Sequence, residues 1–355
     1  MEAMGRAAGA YELPVSLLAP PPIIIINRKK GGVIISLDVE AAFDKVPHIE
    51  LLYKLGKLQK QPLWLRNILE DYYEERTFYV KLNQTITKDH PIRAGTAQGA
   101  VLSPALFSLY TADLPLEGIN TFMFADDTAV LVEGPKSQTI NEKANKILGK
   151  IHKWTTQWKT KINAAKSNAI ILKGTKNQTN IKLLINKEEI PTQKSLKYLG
   201  VRLNGRMSAA TQVNAILSKA KTKSKTLKKW FYCQHKQPTT KTKALFYSTL
   251  IQSSLTYGLP SWDFISKDQQ RRIDQFERGW ARSCLKIHRR TPSVIVEEKT
   301  PFPLVKTLRR KIAQKNYEEV VNHSNPLVNN TINYEATTGQ LQTTLSKWPL
   351  YIRTD

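Results

Sequence analysis

Two adjacent carboxylates inside an apolar stretch constrain the fold of this chain more than any other feature. Residues 122–132 are FMFADDTAVLV, so apolar β-forming residues stand on both sides of Asp126 and Asp127. This pattern predicts two antiparallel strands joined by a tight turn that carries the acidic pair. Neighbouring carboxylates repel each other, and a divalent cation would offset that repulsion. Taken alone, the pair is weak evidence, because acidic turns are common.

A third carboxylate follows another apolar strand. Residues 33–37 are VIISL, and Asp38 comes directly after them, 88 residues before Asp126. Carboxylates that meet from separate strands can bind hard cations, as two-metal phosphoryl transfer requires. The sequence therefore predicts that these three aspartates share one site.

Five segments, taken in order, resemble the motifs of reverse transcriptases. Residues 36–47 (SLDVEAAFDKVP) resemble the first palm motif, residues 93–104 (RAGTAQGAVLSP) the glycine-glutamine motif, and residues 124–127 (FADD) the catalytic hairpin. Residues 162–167 (INAAKS) and 196–201 (LKYLGV) look like the two later palm motifs. The motifs are most similar to those of non-LTR retrotransposons of the LINE type, which include the jockey-like elements. The resemblance extends from about residue 31 to the mid-320s.

The resemblance implies an α+β fold: a right-hand polymerase palm, built as an antiparallel sheet with packed helices, followed by an all-helical thumb region. It divides the chain into four parts. These are an unrelated or disordered leader (1–30), the reverse-transcriptase palm (31–205), the helical thumb or connection (206–323) and a loop-rich tail (324–355).

Apolar periodicity predicts the main elements. A helix behind Pro47 would carry Ile49, Leu52, Leu55 and Leu58 on one side, and another helix over 62–75 would bury Leu65, Ile68, Leu69 and Tyr72. Further predicted elements are an amphipathic helix over 138–158, strands near 168–173, 181–185 and 195–203, and helices over 209–231, 239–256, 267–286 and 303–322. Tyr257 and Trp262 are expected to be core anchors rather than base-stacking residues.

The resemblance also implies a reaction and a metal. The chain would be an RNA-directed DNA polymerase that adds nucleotides from dNTP to the 3′-hydroxyl of a DNA primer on an RNA template. Asp38 and Asp126 would hold two Mg²⁺ ions, with Mn²⁺ as the alternative. Asp127 would complete or orient the shell, and the backbone carbonyl of Val39 would be a further ligand. Glu40 and Asp44 are less suited, and capping of the following helix explains Asp44 better.

The motifs imply further roles around that centre. Phe43 would exclude a ribose 2′-hydroxyl, with a core phenylalanine at a strand-to-helix junction as the alternative. Gln98 and Gly99 would border the nucleotide and template. Lys166 would protonate the pyrophosphate leaving group, with an ordinary surface lysine as the equal alternative. Residues 198–200, which are Tyr198, Leu199 and Gly200, would form the primer grip.

The charge of the chain predicts a polyanionic partner. It has 54 Lys and Arg against 29 Asp and Glu, a net charge of +25. Residues 151–230 hold 18 basic and two acidic residues, so this segment carries +16. A basic track of this kind suits a nucleic-acid backbone. The lysines expected to contact phosphates are Lys219, Lys221, Lys225 and Lys228, together with Lys223 and Lys229. A merely solvated helix is the alternative.

The chain contains two cysteines, Cys233 and Cys284, without the paired spacing of a zinc site. They are typical of reduced thiols, so an intracellular protein of the nucleus or cytoplasm is expected. No membrane association is expected either, because the isoleucine run at 23–26 is far shorter than the roughly 20 residues that span a bilayer.

Only 37 residues precede Asp38, whereas the resemblance implies a fingers subdomain, and further upstream an endonuclease, ahead of it. We therefore expect the chain to correspond to part of a longer parent protein. Two hypotheses follow. One is an RNA-directed DNA polymerase domain, and the other is a catalytically inactive remnant that acts only as a basic nucleic-acid-binding protein.

Overall fold

A computed structural model describes residues 31–58, 62–97, 99–114, 119–172, 181–233, 238–262 and 265–321. The predicted leader (1–30), the predicted tail (324–355) and Gln98 lie outside these residues. The chain divides into two compact units between Lys194 and Ser195. The β11–β12 hairpin described below belongs to the second unit, and the assignment of palm and thumb to particular residues stays a prediction.

The first unit is built on a four-stranded antiparallel sheet in the order β6-β7-β1-β8. Its strands are β1 (Gly31–Asp38), β6 (Asn120–Phe124), β7 (Asp127–Gly134) and β8 (Asn168–Leu172). The central strand β1 pairs with β7 along its whole length, from Gly31 opposite Gly134 to Asp38 opposite Asp127. This register places the ends of β1 and of the β6–β7 hairpin at the same edge of the sheet.

One face of this sheet forms the larger core with a long helix, α4 (Ser137–Gln157). Alternate residues of β1 point to this face and are buried, namely Val33, Ile35 and Leu37. The apolar stripe of α4 packs against them through Ile140, Ala144, Leu148 and Ile151. The predicted amphipathic helix over 138–158 is therefore confirmed to within one residue at each end.

A second core joins three helices: α1 (His48–Tyr53), α2 (Leu63–Tyr73) and α3 (Leu102–Thr111). The buried face of α1 includes His48 and Leu51, whereas Ile49 is 77% exposed, so the predicted apolar face was wrong at its first position. His48 is drawn inwards because its ring stacks on Tyr73 and bonds the Gly95 carbonyl. A π-helical turn, Lys54–Leu58, then continues α1.

Helix α2 also exposes part of the face that was predicted to be buried. Leu65 and Leu69 are buried as predicted, but Ile68 is 57% exposed and Tyr72 is 42% exposed. Tyr73 is buried in place of Tyr72. The helical period is correct, and the buried stripe is rotated towards α1.

A buried cation lies in this second core. Lys54 is 1% exposed, and its ammonium donates to the Tyr110 carbonyl and to Asp113 at 2.6 Å each. The ammonium also lies 3.9 Å from the centre of the Trp158 ring and 4.4 Å from that of Trp154. Burial lowers the pKa of Lys54 to about 8, although the bond to Asp113 opposes that shift.

Short strand pairs complete the first unit. The β2–β5 pair joins Thr77–Phe78 to His90–Pro91, and the β3–β4 hairpin joins Lys81–Leu82 to Thr85–Ile86. The β9–β10 hairpin joins Leu183–Ile185 to Glu188–Ile190. Strand β10 was not predicted from the sequence.

The second unit begins with the β11–β12 hairpin (Ser195–Tyr198 and Val201–Asn204), where one strand over 195–203 was predicted. Helices follow, and the four predicted helical segments are confirmed. They are α5 (Ala210–Cys233), α6 (Thr240–Phe246) with its continuation through the π-helical turn Tyr247–Gln252 into α7 (Ser253–Thr256), α8 (Lys267–Leu285) and, after a short helix α9 (Ser293–Glu298) that was not predicted, α10 (Val305–Val321).

The two expected core anchors of this unit differ in exposure. Trp262 is 1% exposed and donates to the Tyr257 carbonyl at 2.9 Å, so its core role is confirmed. Tyr257 is 50% exposed, and its role lies at the hairpin described below.

Strands and helices therefore combine as predicted in an α+β fold of antiparallel sheets with packed helices. None of the helices in the described residues is both long and apolar enough to cross a membrane.

Candidate active site

The acidic pair lies at the tip of the β6–β7 hairpin, as the sequence predicted. Phe124 is opposite Asp127, and the two residues between them, Ala125 and Asp126, form the turn. Ala125 has a φ of 51°, in the left-handed region. Two-residue hairpin turns require such positive φ values, so a small residue before the first aspartate suits this position.

Asp38 is directly opposite Asp127 across the β1–β7 ladder. Residues in register on antiparallel strands point to the same face, which here is the face opposite Leu37 and helix α4. The main-chain amide and carbonyl of Asp38 both point away from β7. The amide donates to Ser167 Oγ at 3.1 Å, and the carbonyl accepts from the Asn163 amide at 2.8 Å. The two aspartates therefore form a non-hydrogen-bonded pair, in which opposite side chains approach most closely.

The segment 162–167 holds the end of β1 in place. Its own turn is closed by Ser167 Oγ, which donates to the Asn163 carbonyl at 2.7 Å, and by the Lys166 amide, which donates to Asn163 Oδ1 at 3.1 Å. The Lys166 side chain is exposed. The motifs predicted a role for Lys166 but none for Asn163 or Ser167. Short polar residues between apolar strands are the signal that could have identified them.

The other acids of the first motif have separate surroundings. Glu40 pairs with Lys45 at 2.5 Å and with Lys161 at 3.7 Å. The hydrogen bond and charge of Lys45 hold the pKa of Glu40 below its usual value. Helix α1 begins behind Pro47 without a side-chain cap, so Asp44 is not its N-cap and that expectation was wrong.

The segment 93–96 is joined to the first motif by backbone bonds. The Thr96 amide donates to the Phe43 carbonyl and the Gly95 amide to the Val46 carbonyl, both at 2.8 Å. Gly95 has a φ of 101°, and a Cβ atom there would lie 3.0 Å from the Asp44 carbonyl oxygen. Only glycine allows this close approach without strain.

Phe43 is half-buried, and its ring contacts Phe107 with a centroid separation of 4.8 Å. It packs at the margin of the second core, which leaves part of the ring accessible. Gln98 lies outside the described residues. Gly99 is exposed, has a φ of 82°, and has no atom within 4 Å of the position of a Cβ atom.

A narrow cavity of about 10 Å³ lies beneath the hairpin turn. Ala125 and Asp126 contribute to its lining, as do Val39, Trp154 and Thr160, but Phe43 does not. The Trp154 indole nitrogen and the Thr160 hydroxyl are buried without a hydrogen-bond partner in the described part of the chain. A space of this size is near the lower limit for one water molecule.

The donor chemistry at the hairpin suits a hard divalent cation. Asp38 and Asp127 present carboxylate oxygens on one face, and like charges directly opposite each other destabilise a sheet unless a counter-charge offsets them. As the side chains stand, however, the described residues include no group of three acidic, histidine or cysteine side chains close enough together to hold a metal ion. The metal assignment thus stays a prediction.

In the second unit, the predicted primer grip is the turn of the β11–β12 hairpin. Tyr198 is buried, and Leu199 and Gly200 have positive φ values of 44° and 78°. Tyr257 donates its hydroxyl to the Leu199 carbonyl at 2.9 Å. A Cβ atom on Gly200 would lie 2.7 Å from the Tyr257 ring, so this turn requires glycine. Local sequence patterns gave no indication of this long-range contact.

The predicted phosphate-binding lysines lie on helix α5 in three kinds of surroundings. Lys221, Lys225 and Lys229 are exposed and follow one another at four-residue intervals, which places them on one stripe of the helix. Lys219 is exposed beside that stripe. Lys228 is half-buried over the Trp280 ring, with its ammonium 5.6 Å from the ring centre.

Lys223 turns towards the rest of its own unit. Its ammonium donates to the Leu250 carbonyl at 2.7 Å and to Ser254 Oγ at 2.6 Å. Burial lowers the pKa of Lys223 below its usual value. Because its donors are used inside the protein, Lys223 is less available to phosphates than the exposed lysines.

Comparisons with known proteins agree with the arrangement of motifs. The sequence model of the family described as "Reverse transcriptase (RNA-dependent DNA polymerase)" matches residues 13–203, more than half of the chain. The match begins earlier than residue 31, from which the motifs indicated the resemblance.

Individual relatives are mobile-element polymerases. The "RNA-directed DNA polymerase from mobile element jockey" of Drosophila melanogaster is 28% identical over 303 residues, which cover 82% of this chain and 32% of that protein. The "Probable RNA-directed DNA polymerase from transposon X-element" of the same organism is 27% identical over 253 residues, covering 69% of this chain and 27% of that protein. The chain thus spans about a third of the length of these curated relatives.

Among solved structures, the apo telomerase of Candida tropicalis aligns with a TM-score of 0.40 and 13% identity. The alignment covers 94% of this chain and 55% of the telomerase. On the family match and the ordered motifs, the chain belongs to the reverse transcriptase (RNA-dependent DNA polymerase) family, and its relatives are the polymerases of jockey and other non-LTR retrotransposons.

Proposed function

We propose that this chain acts as an RNA-directed DNA polymerase domain that transfers nucleotides from dNTP to a primer 3′-hydroxyl. The observation that carries the proposal is the register of the sheet, which sets Asp38 directly opposite Asp127, with Asp126 in the adjoining turn. Segments 162–167 and 93–96, both from polymerase motifs, bond to the backbone of the first motif. The catalytic hairpin and these two segments therefore all contact the first motif.

Asp38, Asp126 and Asp127 would hold two Mg²⁺ ions, or Mn²⁺, together with the carbonyl of Val39. Bound there, the cations would lower the pKa of the primer hydroxyl and stabilise the leaving pyrophosphate. The protein contributes the position of the carboxylates: the bonds from Ser167 and Asn163 fix the backbone of Asp38, and the tight turn fixes Asp126.

The neighbouring residues would select and orient the substrates. Phe43 would pack beneath the incoming sugar, since part of its ring is accessible while Phe107 supports it. Gln98 and Gly99 would border the nucleotide and the template, and the exposed Lys166 would protonate the pyrophosphate. Tyr198, Leu199 and Gly200 would grip the primer, and Lys219, Lys221, Lys225 and Lys228 would contact phosphates.

The partners are then an RNA template, a DNA primer and dNTP. The relatives are about three times as long as the matched part, which supports a longer parent protein that contributes fingers and endonuclease regions. Cys233 and Cys284 are both free thiols, which supports a location inside the cell, in the nucleus or cytoplasm.

Primer extension on an RNA template tests the proposal. Purified protein should add dNTP in the presence of Mg²⁺, and Asp126→Asn should lower the rate by roughly a hundredfold or more, because cation stabilisation contributes several kcal/mol. Asp44→Asn is the matched control, since it removes the same charge from an exposed turn of the first motif. Equal rates in both variants would contradict the proposal.

A second candidate function is nucleic-acid binding without catalysis. It is favoured by two observations: the exposed lysine stripe on α5 needs none of the aspartates, and the three carboxylates do not form a cation site as they stand. Under this alternative the protein would bind a primer–template with salt-dependent affinity and would extend no primer with either Mg²⁺ or Mn²⁺.

A further inference from the structure

An open groove lies between helices α8 and α10 of the second unit, and the polymerase motifs do not use it. The groove has a volume of about 440 Å³, within the range of ligand-binding clefts. Four cationic side chains line it, and they come from both helices: Lys267, Arg271, Arg278 and Arg309. Asp274 is the one acidic residue among its lining residues, so the lining carries a net charge of +3.

Three of the cations follow a single face of α8. Lys267, Arg271 and Arg278 are separated by four and seven residues, spacings that return to the same side of a helix. The row from the first to the last is about 16 Å long at the helical rise of 1.5 Å per residue. A linear polyanion matches such a row better than a compact anion does.

Two of these cations have no competing partner. In the described part of the chain, the side chains of Lys267 and Arg271 make no hydrogen bond or ion pair, and both are exposed. Arg278 pairs with Glu297 at 2.9 Å, but Glu297 is also bonded by Lys306, so this group retains one positive charge. The unpaired cations are therefore available to a ligand.

The far wall of the groove is held in a fixed geometry. Arg309 of α10 donates to the side-chain oxygen of Gln270, and Gln270 in turn donates to Asp274 at 2.6 Å. This chain of bonds orients the Arg309 guanidinium and engages the single carboxylate of the lining. Pre-oriented guanidinium groups suit phosphate oxygens, which they can bind in a bidentate manner.

We infer that this groove binds the sugar-phosphate backbone of a single nucleic-acid strand, as a contact separate from the α5 lysines. The inference rests on the proposed function only in taking nucleic acid as the ligand. Phosphates would be bound by Lys267 and Arg271, with Arg309 as the oriented donor on the opposite wall. The groove is open and its cations form a row. Both features suit an extended strand that lies along the groove better than a compact ligand that the protein encloses.

Fluorescence anisotropy with a short single-stranded RNA tests this inference. The full chain carrying Lys267→Gln and Arg271→Gln should bind several-fold more weakly. Its slope of log affinity against log salt should fall by about 1.4, because each phosphate bound on a single strand contributes roughly 0.7. Folding should be unaffected, since neither side chain takes part in an internal bond.

The matched control carries Arg289→Gln and Lys299→Gln, two exposed cations. It removes the same charge from the same unit, and neither residue lines the groove. The control should leave the slope nearly unchanged. Equal effects of the two double variants, or no effect of either, would overturn the inference.

Binding of poly-glutamate, an acidic peptide, tests whether the ligand of the groove is a nucleic acid or an acidic protein. If the groove variant weakened poly-glutamate binding as strongly as RNA binding, the assignment to a nucleic-acid backbone would be overturned. Failure of the proposed function has a different signature: a chain that binds RNA through the groove but extends no primer contradicts the polymerase proposal alone.

Discussion

At the scale of single residues, Asp38 owes its position to backbone bonds rather than to its carboxylate. Ser167 accepts from its amide, and Asn163 donates to its carbonyl. Because Ser167 is 1% exposed, water cannot readily replace its hydroxyl. The position of a proposed metal ligand thus depends on a serine that lies 129 residues further along the chain.

Removal of that hydroxyl is the first prediction. Ser167→Ala should lower the free energy of unfolding by about 1–3 kcal/mol, since it leaves the Asp38 amide without its acceptor, while the Asn163 carbonyl keeps the bond from the Ser167 amide. Primer extension should be slower than in the wild type even at a temperature where the variant is fully folded, because Asp38 is no longer held in position. Chemical denaturation and extension rates measure the two effects. Extension equal to that of the wild type in the folded variant would show that this bond does not position Asp38.

A buried carboxylate in the second unit gives the second prediction. Glu277 is fully buried, accepts from the Tyr247 hydroxyl at 2.8 Å and from the Val305 amide at 3.0 Å, and has a pKa raised to about 7, chiefly by burial. The folded protein therefore binds more protons than the unfolded chain between pH 4.5 and 7, and stability falls as pH rises through that window.

Glu277→Gln should abolish this contribution while keeping an acceptor for Tyr247. As the pH rises from 4.5 to 7, the wild type should lose on the order of 3 kcal/mol of unfolding free energy relative to the variant. Each pKa unit corresponds to about 1.4 kcal/mol. Denaturant titrations at several pH values measure it. Parallel pH curves for the two proteins would be inconsistent with a proton held by Glu277.

At the scale of elements, two glycines with similar backbone angles offer a matched comparison. Gly200 has a φ of 78° and Gly99 a φ of 82°, yet a Cβ atom would meet the Tyr257 ring at 2.7 Å in the first case and no atom within 4 Å in the second. Alanine at Gly99 should therefore cost about 1 kcal/mol for conformation alone. Alanine at Gly200 should cost more, because the ring of Tyr257 must also move.

Denaturation of Gly200→Ala, Gly99→Ala and Gly200→Ala with Tyr257→Ala measures these effects. The double variant should recover part of the excess cost, although it also removes the bond from Tyr257 to the Leu199 carbonyl. Equal decreases in stability for the two single variants would mean that the hairpin turn does not pack closely on Tyr257.

Strong local periodicity made the elements themselves predictable. The β6–β7 hairpin, helix α4 and the helices of the second unit other than α9 lie where apolar spacing and turn residues indicated. Predicted faces were less accurate, as Ile49 and Ile68 illustrate, because the buried side of a helix depends on neighbours that are distant in sequence. The strand predicted over 195–203 is a hairpin, since the turn at 199–200 interrupts an otherwise strand-like pattern.

The candidate site was predictable to a similar extent. Motif order identified Asp38, Asp126 and Asp127, and the sheet register brings Asp38 and Asp127 together. The supporting bonds from Ser167, Asn163 and Tyr257 were not predictable, because each joins residues that are far apart in the chain. The same limit applies to Lys223, whose ammonium bonds inside its own unit.

At the scale of the whole molecule, the net charge of +25 should make nucleic-acid binding depend steeply on salt. Replacing Lys221, Lys225 and Lys229 with Gln should flatten the log–log salt slope by roughly 0.7–0.9 for each phosphate that is no longer neutralised. Affinity should fall across unrelated sequences, because binding to phosphates carries no sequence information. Anisotropy with a labelled primer–template over a salt series measures the slope.

Two single substitutions on α5, Lys223→Gln and Lys225→Gln, separate the effect of position from the effect of charge. Each removes one positive charge from the same helix. The slope should change less for Lys223→Gln, since the Lys223 ammonium already donates to Leu250 and Ser254. Equal changes would indicate that α5 acts only through its total charge and that no stripe of lysines faces the phosphates.

Catalysis as proposed depends on divalent cations bound by the strand-end aspartates. Electron paramagnetic resonance of Mn²⁺, titrated into the full chain with a bound primer–template, measures that binding without relying on turnover. We expect saturable binding that Asp38→Asn and Asp126→Asn each weaken strongly and that Asp44→Asn leaves unchanged. Mn²⁺ binding of equal strength in all three variants and the wild type would contradict the proposed metal site.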